Sequence, residues 1–318
     1  MSVARPVLPG AVLMVTRRCI DRRFFLRPDA EVRAALEYLL AVGLARFGVL
    51  VVAAAFLSNH YHLILSDPEG RYPAFLQWFD SLVARAVNSR RGRCGRFWDG
   101  EQVHIEVLLD AEAVERKIAY VLANPVAAGL VERGRDWPGV RSSPQAWVRP
   151  SKVVRRPDWF FRADGVMPDE AELTYALPPT HEGMDTGEFA ARIARRVGEE
   201  EERLRVLQSE SKRPFLGARG VLRQRWWSRP GTSEVRRRVK PLVAGARETC
   251  SAALEAIRTF RWRYSEALTA WRGGDRRVFF PPGTWRMREL HQASRRPPPG
   301  FLAVLVGFRA PASGPAPA

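Results

Sequence analysis

Cysteine is scarce. Only Cys19, Cys94 and Cys250 occur in 318 residues. Three widely separated thiols support neither a disulfide framework nor a cysteine-based zinc site, which points to a reducing compartment. Long apolar runs are missing too. The most apolar stretch, Leu36 to Leu57, is broken by Gly43, Arg46 and Gly48, so no membrane span is expected. The N-terminus lacks the basic start, apolar core and small-residue cleavage site of a signal peptide. No repeat recurs at a fixed period, which argues against a solenoid. Together these absences predict a cytoplasmic protein.

Acidic residues are in deficit, 34 against 51 Lys and Arg, which leaves a formal net charge of +17. Such an excess favours a polyanionic partner, most simply nucleic acid. Nearly all of it is arginine, as a GC-rich genome would also produce. The excess is uneven: residues 1–150 hold 20 basic and 15 acidic side chains, the remainder 31 and 19. Hydrophobic residues make up 46% and charged residues 27%, an ordinary globular balance that excludes wholesale disorder. The length predicts two domains and a core large enough to need no metal or disulfide staple.

Ala11–Thr16 is a β-rich run that ends in the charged turn Arg17–Arg23. Asp29 can cap a helix reaching about Phe47, with Val32, Leu36, Leu39, Leu40 and Leu44 on one stripe. Val49–Leu57 is apolar without alternation, as in a strand covered on both faces. Ser58-Asn59 makes a tight corner into a strand at His60–Ser66. A helix from Pro73 to about Asn88, a basic loop at Ser89–Gly95 and a strand at Val103–Leu108 follow. A helix at Ala111–Ala123 is expected to stop before Pro125. This order predicts an α+β fold: a ferredoxin-like, antiparallel-rich sheet with helices on one face. Beyond it, residues 151–187 read as a connecting segment. Residues 188–308 read as a basic, mostly helical region, and 309–318 as a low-complexity, disordered tail.

Two of the five histidines fall in NHYHLIL. On a strand the side-chain period is two, so His60 and His62 share a face, while Tyr61, Leu63 and Leu65 point away. Two imidazoles about 7 Å apart along a strand can converge on one divalent cation. A hydrogen-bonded surface pair is the alternative. In KIAYVLANPVAAGLV, Tyr120 and Asn124 are neighbours on one helix face. Tyr120 offers a hydroxyl nucleophile and Asn124 a neutral oxygen for a hard cation. Read without chemistry, Tyr120 is the edge of an amphipathic core and Asn124 a C-terminal cap.

Together these stretches resemble the HUH single-tyrosine transposases, and specifically their REP-associated tyrosine transposase branch. NHYHLIL is similar to the His-hydrophobic-His element, and YVLANPVAAGLV to the tyrosine-helix segment. VTRRCIDRRFFL resembles the first strand and its basic turn, GRFWDG the segment before the last strand, and DWPGVRSS the Trp-Pro stretch after the tyrosine helix. The five segments occur in the family's order over roughly residues 8–148. The C-terminal half is longer than a minimal member's.

The resemblance implies that residues 1–150 form the transposase domain. It further implies that Tyr120 attacks a scissile phosphorus, giving a 5′-phosphotyrosine and a free 3′-hydroxyl. By the same resemblance His60 and His62, with Asn124 as third ligand, hold Mg²⁺ or Mn²⁺, and the substrate is single-stranded or hairpin DNA met at the nucleoid. A tyrosine hydroxyl has a pKa of about 10, and His104 is the nearest candidate to act as a separate base. Arg17, Arg18, Arg22, Arg23, Arg90, Arg91, Arg93 and Arg96 are suited to phosphate contacts, or form solvated charged loops. Arg225 and Trp226, within RQRWWSR, and the stretch Arg261-Trp262-Arg263-Tyr264 can hold backbone and stack bases, or their tryptophans can be buried core. Monomer and homodimer are both open. Two other readings stand beside the enzyme: a non-catalytic hairpin-DNA-binding regulator, and a metal-dependent hydrolase that uses water.

Overall fold

The computed structural model describes residues 4–100, 103–149, 151–231 and 242–293. Its elements run β1 (Ala11–Arg18), α1 (Ala30–Phe47), β2 (Leu50–Phe56), β3 (His60–Asp67), α2 (Tyr72–Arg90), β4 (His104–Leu108) and α3 (Ala111–Ala127). There follow β5 (Lys152–Arg155), β6 (Glu170–Leu173), α4 (Thr186–Glu210), α5 (Gly217–Arg223), β7 (Val243–Ala244), α6 (Arg247–Arg272) and α7 (Arg286–His291). The low-complexity stretch 309–318 lies outside the described residues.

The main sheet has the order β2-β3-β1-β4-β7. The first four strands pair antiparallel, and β7 joins the edge parallel to β4. With α1 between β1 and β2 and α2 between β3 and β4, this is the split βαβ topology read from the element order. α1 and α2 cover one face, on which Leu13, Val15, Leu63 and Leu65 lie. The other face is covered as well: Val12, Met14 and Ile64 pack under α3 and α4. Burial on both faces explains why β2 shows no polar alternation. Its register shifts between Val51 and Ala53. Val52 and Ala53 therefore both pack on the α3 side, whereas Val51 and Ala54 pack on the α1 side. One inserted residue in a strand produces this switch.

Two details of the helices differ from expectation. Asp29 precedes α1 but makes no side-chain cap. Its Oδ2 accepts instead from Arg27 at 3.0 Å and Arg91 at 2.6 Å, charge-assisted bonds stronger than one to a neutral backbone N–H. α3 does not stop before Pro125 but runs on to Ala127. Proline lacks an N–H, which leaves only the Val121 carbonyl without its helical donor. Beyond it, the carbonyls of Asn124 and Pro125 accept from Ala128 and Leu130, each at 3.0 Å.

The later elements pack onto this core. β5 and β6 form a hairpin against α1, where Tyr38 donates to the Pro168 carbonyl at 2.5 Å. α4 lays Phe189, Ile193 and Val197, at four-residue spacing, over the α3 side of the sheet. Beside them, buried Glu115 on α3 accepts from His181 at 2.9 Å and pairs with Arg196 at 2.7 Å. Asp110 caps α3 through Ala113 N at 2.8 Å and also accepts from Ala246 N at 2.7 Å, which ties β7 and α6 to the same corner.

Candidate active site and nucleic-acid interface

The even-numbered residues of β1 and β4 share a face with His60 and His62, because the antiparallel register sets Arg18 opposite His60 and Thr16 opposite both His62 and His104. This is the face that α3 covers. Tyr120 reaches it from α3, and its ring centroid lies 5.5 Å from that of His62. The two imidazoles stand 4.9 Å apart, nearly perpendicular. The structure thus brings His60, His62 and Tyr120 to one place, although some sixty positions separate the histidines from the tyrosine.

Each side chain is held differently. His60 sits at the start of β3, its Nδ1 2.7 Å from the Asn59 carboxamide oxygen. His62 is buried, with Nδ1 2.8 Å from Thr16 Oγ1. Its Nε2 is buried with no hydrogen-bond partner among the described residues. Burial, and then the charges of His60, Arg18, His104 and Lys117, hold its pKa well below the usual imidazole value. His62 is therefore neutral at physiological pH and keeps a lone pair. Tyr120 is 41% exposed. Asn124 follows one helical turn later and is buried.

A neutral imidazole whose second nitrogen has no protein partner, beside another imidazole, fits a cation ligand pair. Among the described residues no group of three or more His, Cys, Asp or Glu is placed to hold a metal ion. A cation here would need oxygen from Asn124, water or substrate to complete its shell. Two further groups belong to this corner. Glu106, buried on the same face of β4, holds Lys117 Nζ at 2.7 Å. The ammonium in turn lies 5.9 Å from the centre of the Tyr120 ring. Thr16, Glu106 and Lys117 were missed in the sequence. Lys117 carries a signal, being three residues before Tyr120 on one helix face. Glu106 carries another, two residues from His104 on a strand.

The expected phosphate contacts divide. Arg18 is exposed on the histidine face, and Arg96 is exposed in the basic loop. Arg22 and Arg23 are half-buried in the turn after β1, where Asp21 and Arg22 take positive φ angles of 52° and 56°. Arg90 is exposed and paired with Glu31. Arg17 instead points to the opposite face, 3.7 Å from Asp80 and over the Trp98 ring, because odd positions of β1 face α1 and α2. The Arg91 side chain is only 7% exposed and bound to Asp29. Arg93 lies 4.1 Å above Phe25. Arg225 is exposed, and Trp226 is half-buried against Phe25. The exposed indoles are the neighbouring Trp227 and, on α6, Trp262.

Neither a protein-family model nor a curated protein matches the sequence. Among solved structures, a REP-associated tyrosine transposase bound to a REP hairpin aligns over 52% of this chain and 96% of its own, with 15% identity and a TM-score of 0.40. A protein of Deinococcus radiodurans, provisionally described as a transposase, aligns over 39% of this chain and 97% of its own, with 21% identity and a TM-score of 0.28. These likenesses are partial. The fold assignment rests on the chain's own strand order and register. Among the described residues, no helix is long and apolar enough to cross a membrane.

Proposed function

We propose that this chain cleaves and rejoins DNA strands, in the manner of single-tyrosine transposases, with Tyr120 as nucleophile. The observation that carries this reading is the approach of the Tyr120 ring to 5.5 Å from buried, neutral His62, with His60 beside it. The Tyr120 oxygen attacks the scissile phosphorus of single-stranded or hairpin-flanked DNA. A bond from phosphorus to the phenolic oxygen forms as the bond to the 3′ oxygen breaks. The phenol loses its proton, and the departing oxygen gains one to become a free 3′-hydroxyl. The phosphotyrosyl ester keeps a phosphoester bond, so a 3′-hydroxyl can reverse the step and join strands without another energy source.

His60 and His62, with Asn124 as third ligand, would hold Mg²⁺ or Mn²⁺. Bound there, the ion would offset phosphate charge and orient the reacting group. Thr16 fixes the ring of His62 through Nδ1, leaving Nε2 for the ligand role. Lys117, steadied by Glu106, adds positive charge beside the phenol where negative charge develops. Arg18, opposite His60, adds more along the same face.

The test is a labelled, hairpin-bearing single strand incubated with the protein and Mn²⁺, followed by denaturing electrophoresis. A covalent protein–DNA adduct is expected. Tyr120→Phe should abolish it while DNA affinity changes less than about twofold, and EDTA should suppress it. An adduct that survives in the variant would place the nucleophile elsewhere. DNA binding without any adduct in the wild type would favour the regulator, and cleavage without an adduct the water-using hydrolase.

A further inference from the structure

Two basic stretches lie about two hundred residues apart in the chain, yet in the fold they run side by side. Phe24 N donates to the Ser228 carbonyl at 2.9 Å. Arg23 Nη1 donates to the Trp227 carbonyl at 2.7 Å, and Arg27 Nη1 to the Gln224 carbonyl at 2.9 Å. These bonds dock residues 224–228 along the turn that follows β1. Within the docked segment the two indoles have different jobs. Trp226 turns inward, its ring 6.1 Å from Phe25, with the Arg91 guanidinium 5.8 Å away. Trp227 stands perpendicular to it, 48% exposed, and the Arg225 guanidinium lies 5.7 Å from its centre.

The docked segment is linked to the histidine pair by short steps. Arg22, next to Arg23, accepts through its carbonyl from Asn59 Nδ2 at 3.2 Å, and the other end of the same carboxamide lies 2.7 Å from His60 Nδ1.

From this arrangement we infer that Trp227 and Arg225 form a base-stacking platform for single-stranded DNA, seated on the rim of the Tyr120 site and supplied by the C-terminal half of the chain. The partner class rests on the proposed reaction. An exposed indole has a π-face for any base, and flanking guanidiniums meet the adjoining phosphates. Trp226 is the anchor that fixes the segment, not the stacking surface.

The experiment uses the full-length protein, a labelled oligothymidine single strand and a duplex of equal length, at one fixed salt concentration. Loss of one base–aromatic stack corresponds to roughly a 5- to 150-fold change in affinity. Trp227→Ala should therefore weaken single-strand binding at least about fivefold, with an unchanged thermal transition and little effect on duplex binding. Trp227→Phe should restore most of the affinity. Equal single-strand affinity for wild type and Trp227→Ala would overturn the inference, as would an equal loss for single strand and duplex. The covalent-adduct assay separates this from the reaction itself. Adduct formation by Trp227→Ala at saturating DNA, with single-strand affinity unchanged, sinks the platform and leaves Tyr120 chemistry standing. Absence of an adduct in the wild type, with the fivefold loss intact, sinks the chemistry and leaves the platform.

Discussion

Single side chains take opposite roles on the two faces of β3. Tyr61 and His62 are adjacent, yet one lies in the α1 side of the core and the other beside Tyr120 on the opposite face. Tyr61 is buried and donates to Asp80 Oδ1 at 2.7 Å. Burial pushes the Asp80 carboxyl up to about 7, against the opposing pull of the Tyr61 hydrogen bond and Arg17. An acid whose folded pKa is raised binds more protons in the native state than in the unfolded one. Asp80 therefore contributes stability below its unfolded value near 4, and that contribution is lost as pH rises toward 7. The slope is up to about 1.4 kcal/mol per pH unit. Denaturant titrations from pH 4 to 8 should show it, and Asp80→Asn should flatten it. A variant whose stability falls as steeply as the wild type's would assign the pH dependence to another group.

Between elements, the contact of α1 with α2 depends on Gly43. A Cβ at that position would meet Phe75 Cε2 at 2.8 Å and Trp78 Cζ3 at 2.9 Å. Glycine in a mid-helix is by itself unfavourable by about 1 kcal/mol relative to alanine, so exposure would make Gly43→Ala stabilising. Here Phe75 is fully buried against Phe79 and cannot swing away. Overpacking outweighs the helix gain, and Gly43→Ala should lose about 1–2 kcal/mol net in a urea melt. A rise in the midpoint would mean that the helices can separate without loss. On the other face, α3 positions Tyr120. The helix reaches that far because Asp110 caps its start and Ile118, Val121 and Leu122 bury its underside.

The whole molecule joins its halves by burial on the second sheet face. Phe189 and Ile193 are fully buried there and Val197 nearly so, and each contributes about 1.5–3 kcal/mol. A chain ending at residue 150 would expose the α3 side of the sheet that α4 covers. That fragment should aggregate or bind a hydrophobic dye on expression, whereas a chain ending at residue 231 should remain monodisperse and melt cooperatively. A well-behaved 1–150 fragment would show that α4 is dispensable for the core. In the same way residues 224–228 complete a surface begun by the turn after β1, through the bonds of Arg23, Phe24 and Arg27 to their carbonyls.

Most of the sheet was legible in the sequence because its signals are local. Alternation put His60 and His62 on one face, helical spacing put Tyr120 and Asn124 on another, and Ser58-Asn59 marked the hairpin between β2 and β3. Those periodicities depend only on backbone geometry within a few residues. Which face α3 would cover depends instead on how distant elements bury apolar surface, and that decided whether Tyr120 could approach the histidines. Tertiary packing likewise turned Arg17 and Arg91 inward to carboxylates, and it set Trp226 against Phe25 while leaving Trp227 exposed. A run of arginines and tryptophans looks alike along the chain. Only the partners that folding delivers, an acid here and an aromatic ring there, determine which of them face solvent.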